Sequence, residues 1–120
     1  MAVNIFFYLG LTFIFMHEMD AIRCREWRIF PGLSALSDRT GMIIFIFVHI
    51  PLFYWLFGSF ENLLENQGSL RTGFNIFLLI HLLIHLLYLK HKNNEFKDWI
   101  SWIIIAGAAS FGLLDLLMLL

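Results

Sequence analysis

The chain reads as an all-α integral membrane four-helix bundle. Three observations predict it. Of its 120 residues, 60% are hydrophobic and 14% charged; its mean hydropathy is +0.79; and the apolar residues gather into four runs, each near the roughly 20 residues that cross a hydrocarbon core of about 30 Å. A soluble domain carries about 25% charged residues, and a chain this short buries too small a share of its surface to hide the excess. One cysteine, Cys24, excludes a disulfide scaffold, and a net charge of −1 gives no reason to expect nucleic acid. The expected partner is the lipid bilayer.

The predicted spans run from Ala2 to Ile22, Gly41 to Phe60, Gly73 to Leu89 and Trp99 to Leu119, and together they make one domain. No alternation of polar and apolar residues is sustained along them, which argues against a β-barrel. Pro31-Gly32 marks the end of the first helical run, and Ser37, Asp38 or Thr40 offers a cap for the second. Asn66-Gln67-Gly68-Ser69 reads as a turn, with Gly68 suited to positive φ. Asn93-Asn94 separates the last two spans, and either residue is a candidate N-cap.

Orientation follows from Lys and Arg in the loops. The first loop carries Arg23, Arg25, Arg28 and Arg39, the third Lys90, Lys92 and Lys97, and the second only Arg71. This places the first and third loops in the cytoplasm and both termini outside, with Trp27, Tyr88, Trp99 and Trp102 near the cytoplasmic headgroups. The N-terminal run lacks the basic start of a cleaved signal peptide and is expected to be retained.

Ionisable residues inside a span are costly, on the order of 2.5–3.5 kcal/mol for an acid at the helix centre. This chain nevertheless places His17, Glu18 and Asp20 in the first run, His49 in the second, His81 and His85 in the third and Asp115 in the fourth. At 1.5 Å per residue, His49 and His81 lie ~12 Å, His17 ~8 Å and His85 ~6 Å from the cytoplasmic ends of their helices. Four imidazoles therefore share one layer. His81 and His85 share a helix face, as do His17 and Asp20, while Glu18 points about 100° away from His17. Pro51 removes a backbone hydrogen bond just beyond His49, and such a break suits a cavity wall.

Imidazole and carboxylate in this density predict a divalent transition metal, zinc first and iron second, on His17, Asp20, His49, His81 and His85. Glu18 is then the candidate catalytic base of a metal-dependent membrane hydrolase or oxidase, acting on a lipid or another membrane-embedded small molecule. Two other readings stand beside it. The same residues form hydrogen-bonded clamps between helices in a non-catalytic protein, or two histidines, for example His49 with His81 or His85, ligate haem b in an electron carrier. A proton or ion path is weaker, because the outer half offers little beyond Asp115, Asn75 and Tyr8. Asp115 is expected near the outer surface, in a structural pair with Arg71. The Ala108/Gly112 face suits close helix packing or a homo-oligomer. Glu26 with Arg23 reads as a surface pair of little energetic value, His91 as a solvated imidazole and Cys24 as an inert thiol.

Through His17-Glu18-Met19-Asp20-Ala21 and Glu26-Trp27-Arg28, the chain resembles an uncharacterised family of small bacterial four-span membrane proteins. The likeness continues through His49-Ile50-Pro51-Leu52-Phe53, His81, His85, Glu95-Phe96 and Trp99-Ile100-Ser101. The resemblance implies a four-helix membrane fold in the bacterial inner membrane and assigns no activity. In arrangement, though not in motif, the histidines and acids are also similar to those of membrane hydrolases such as alkaline ceramidases, which hold zinc among more helices than are present here.

Overall fold

A computed structural model of the chain describes residues 4–64 and 68–120. They are helical, with no strand among them: α1 Ile5–Arg23, α2 Asp38–Gly58, the short α3 Phe60–Leu64, α4 Ser69–Leu87 and α5 Trp99–Leu119. The four long helices have 19 to 21 residues, about 28–32 Å at 1.5 Å per residue, which matches a bilayer core. The molecule measures 44 × 29 × 19 Å. Side chains such as Phe47, Tyr54, Leu87 and Met118 stand exposed on its outside. In water such a surface would aggregate, whereas in lipid it is the solvated one.

Helix α5 is the centre. Its buried residues Ser101, Ile104, Ile105, Ala108, Ala109, Gly112 and Asp115 recur at helical spacing, and α1 and α4 pack along it. The contact is close because the stripe is small. A Cβ on Gly107 would come within 2.5 Å of the Phe13 ring, and one on Gly112 within 3.2 Å of the Asn75 carbonyl. The small face thus packs inside the chain, against α1 and α4. Along the same interfaces α1 buries Phe7, Leu11, Ile14 and His17, and α4 buries Arg71, Asn75, Leu78 and His85. The interior is therefore polar at both ends and apolar in the middle.

Helix α2 stands apart from this three-helix core and buries only Gly41, Phe45 and Leu56 along its length. It is pinned mainly at its start. Ser37 caps it, with its side chain accepting from the Thr40 N–H. The Trp27 indole donates to Asp38 at 2.9 Å, and Gly41 leaves room for that indole, because a Cβ there would lie 2.9 Å from Trp27 Cδ1.

The boundaries differ from the expected ones in instructive ways. Helix α1 stops at Arg23, well before Pro31-Gly32, because Arg25 turns left-handed (φ 51°) and starts a 3-10 turn over Glu26–Arg28. Gly68 precedes α4 at φ −73° in extended backbone rather than at positive φ; Asn66 and Gln67 lie outside the described residues. The cap of α5 is Asp98, whose carboxylate accepts from the Ser101 N–H at 3.1 Å, and not Asn93 or Asn94. Asn94 is buried instead, donating to the Leu89 carbonyl and accepting from the Phe96 N–H, so it holds the α4–α5 loop closed.

Candidate metal centre

Three of the expected ligands meet. His17 on α1 lies against His81 and His85 on α4, with ring centroids 4.3 and 4.8 Å away, and His81 and His85 are 4.6 Å apart. The (i, i+4) spacing puts the two α4 rings one above the other on the face turned to α1. Phe96, from the loop before α5, stacks on His17 and meets His85 edge-on, closing the group from one side.

The fourth member is Glu26. With His17, His81 and His85 it offers a set of ligand atoms that all lie within 4.8 Å of one another. Glu26 Oε1 is 3.2 Å from His85 Nε2 and 3.5 Å from His17 Nε2, and the Nε2 atoms of His85 and His81 are 3.2 Å apart. Four ligands held about 2.0–2.1 Å from a zinc ion sit roughly 3.3–3.4 Å from one another at the corners of a tetrahedron. Three edges of that figure are already close to length.

The electrostatics agree with a site for a cation. Burial pushes the Glu26 carboxyl up, but the imidazoles of His17 and His85 more than offset it and hold the group at about 2. At neutral pH a buried carboxylate therefore sits among three rings. Both nitrogens of His17 and Nδ1 of His81 are buried without a hydrogen-bond partner among the described residues, although a buried polar atom left unpaired costs about 1–3 kcal/mol. His17 is 0% exposed, so bulk solvent does not reach its ring.

The surface pairing expected of Glu26 with Arg23 does not form. The left-handed turn at Arg25 aims Glu26 inward, and Arg23 instead binds Asp20 at 2.7 Å and reaches Asp98 at 3.1 Å. Asp20, one of the five expected ligands, is consequently held elsewhere, accepting from Arg23 and from the Ser101 hydroxyl at 2.6 Å. It shares a helix face with His17, yet that part of the face is turned to α5. Cys24 lies beside the same Ser101, its Sγ 3.7 Å from the hydroxyl, and burial pushes its thiol up, away from the thiolate that metals bind. His91 is half-buried and accepts from the Asn93 N–H at 3.1 Å.

His49 is also outside the cluster. Its Nδ1 donates to the Phe45 carbonyl at 2.6 Å, and its Nε2 is 2.7 Å from Glu18 Oε2. Both ring nitrogens are engaged, which removes His49 as a ligand for metal or haem in this arrangement. The other three rings, with centroids under 5 Å apart, leave no gap for a porphyrin, so the geometry gives haem b no support. The His49–Glu18 pair nevertheless borders the cluster. Both residues line the same cavity as Glu26, His81 and His85, a space of about 330 Å³ between α2 and α4.

At the far end of the bundle, Arg71 and Asp115 are paired as expected, with both side chains fully buried between the helices. Arg71 Nε donates to Asp115 Oδ2 at 2.8 Å, its Nη2 donates to Oδ1, and Asn75 donates to the same carboxylate at 2.6 Å.

The sequence signature of a family of unknown function, DUF6713, matches residues 3–120. No curated protein and no solved structure matches the chain.

Proposed function

The chain belongs to that family, and we propose that it is a multi-pass membrane protein holding a divalent transition metal on His17, His81, His85 and Glu26. The observation that carries this reading is the convergence of the buried His17 imidazole, whose Nδ1 has no hydrogen-bond partner among the described residues, with two more rings and a carboxylate, their ligand atoms all within 4.8 Å of one another. Three imidazole nitrogens and one carboxylate oxygen suit zinc first and iron second. A metal would give His17 Nε2 a partner and neutralise the buried charge of Glu26 together.

Chemistry at such a metal would use Glu26 and the opposite wall of the cavity. Glu26 is the one ligand carried by a loop, and it can yield its position to water more readily than the helix-held rings. A metal there would supply a polarising charge and acidify a bound water. Glu18, hydrogen-bonded to His49, would accept the proton, with a substrate drawn from the bilayer. This is the metal-dependent hydrolase reading. The non-catalytic clamp differs in needing no metal, and the partnerless nitrogens of His17 argue against it.

Purification in detergent without chelator decides the matter, with elemental analysis as the readout. Close to one metal ion per chain is expected, and a metal-free protein that keeps its helical content and thermal stability would refute the site. The orientation with both termini outside rests on the loop cations, and the inner (cytoplasmic) membrane on the resemblance to small bacterial four-span proteins. A single cysteine introduced at Ser69 in a Cys24→Ser background should react with an impermeant reagent from outside intact cells. One introduced at Lys92 should not, and the reverse pattern would invert the topology.

A further inference from the structure

The basic residues at the loop end fall into two groups once their partners are counted. Arg23 is neutralised by Asp20 and Asp98, and Arg28 by Asp38. Arg25, Arg39, Lys90, Lys92 and Lys97 are exposed and make no ion pair among the described residues. The only other exposed acid at this end is Glu95. Two segments of the free group adjoin the cavity between α2 and α4. Arg25 immediately precedes Glu26, and Lys90 and Lys92 follow Tyr88; Glu26 and Tyr88 both line that cavity. The first and third loops are tied together there, with the Asn93 amide donating to the Arg28 carbonyl at 3.2 Å.

The cavity itself is apolar apart from its histidines and acids. Phe30, Leu33, Val48, Phe77 and Ile84 supply walls, and α2 packs too loosely on the core to close it from the side. Its volume of about 330 Å³ is at the lower end of the roughly 300–1,000 Å³ of small-molecule sites, which suits one chain rather than a whole lipid. An apolar slot in the bilayer interior, running to a cluster of unpaired cations, is complementary to an amphiphile with a negative head.

We propose that this cavity binds one acyl chain of an anionic phospholipid, with the headgroup phosphate held by Arg25, Lys90 and Lys92. The proposal rests on the membrane reading above and names the lipid class that the cavity admits; it does not require the metal. Near a membrane each such cation contributes about 1 kcal/mol of attraction to anionic lipid. The head is anchored outside the cavity, so the ester linkages below it would lie toward the His17–His81–His85–Glu26 group.

The test is native mass spectrometry of the full chain released from nanodiscs of phosphatidylcholine doped with phosphatidylglycerol, with metal content measured on the same samples. Retention of phosphatidylglycerol over phosphatidylcholine is expected. The triple variant Arg25→Gln/Lys90→Gln/Lys92→Gln should lower that retention on the order of a hundredfold. Val48→Phe, which fills the slot from α2 without touching the packed core, should lower it with the cations intact. Equal retention of the two lipids, or undiminished binding in Val48→Phe, would overturn the proposal. So would competition by soluble glycerol phosphate at concentrations matching the lipid, which would make the site one for a free anion. Selective lipid retention in metal-free protein would sink the metal centre and leave this inference standing, and metal without lipid selectivity would do the opposite.

Discussion

Replacing His81 with alanine is expected to lower the bound metal to under a hundredth of its wild-type affinity, and His17→Ala and Glu26→Ala to do likewise. Outer-shell partners of a metal typically contribute 10–100-fold in affinity, and a direct ligand contributes more. The informative comparison is with two residues of the same types in the same layer. Asp20→Asn and His49→Gln should retain the metal, because Asp20 is held by Arg23 and Ser101 and His49 by Phe45 and Glu18. Elemental analysis or competition with a chromophoric chelator reads all five. A set in which Asp20→Asn loses metal and Glu26→Ala keeps it would mean that the ligand sphere differs from the one described. Stability separates this result from simple unfolding. Removing a ring from a metal-free clamp would lower thermal stability by roughly the 0.6 kcal/mol average of a polar interhelical contact, whereas here the loss should vanish when the wild-type metal is chelated first.

Glu26 shows where sequence reasoning runs out. The four spans were legible because a run of about 20 apolar residues has few alternatives, and three of the histidines could be brought together by depth and helix face alone. Glu26 lies in a loop, where neither measure applies, and an arginine three residues earlier offers a ready surface partner. What decides its direction is one backbone torsion, φ 51° at Arg25, and a non-glycine residue in that conformation has no sequence signature. A weaker signal was present. Trp27 and Ile29 are buried with Glu26, and an apolar pair inside a basic loop indicates a segment that folds back on the bundle. Asp20 illustrates the opposite error. Sharing a face with His17 suggests sharing a site, but three residues of helix rotate a side chain about 60° away, enough to turn it from α4 to α5. His49 is expected in the ligand set by its depth, but it is held by Phe45 and Glu18, partners that depth alone does not reveal.

The second large effect is expected at the other end of the bundle. Arg71 and Asp115 are both 0% exposed, joined by two hydrogen bonds. Asn75 donates to the same carboxylate, Arg71 Nη1 donates to Asn4 at the start of α1 at 2.8 Å, and the guanidinium lies 5.0 Å from the Phe7 ring centre. One ion pair thus ties the ends of α1, α4 and α5 together. Breaking a buried pair leaves its partner charged and desolvated, at a cost of about 3–5 kcal/mol. Arg71→Met and Asp115→Leu should each lower stability by that amount, measured as unfolding in detergent. Combining them removes both charges and should recover most of the loss, leaving a deficit on the order of 1 kcal/mol for the Asn75 amide that has lost its acceptor. Adding Asn75→Leu should narrow the gap. If the single variants cost less than about 1 kcal/mol, or if their losses simply add, the pair is not what holds these helix ends together. The metal centre, at the opposite end of α4, should be indifferent to all of them while the bundle stays folded.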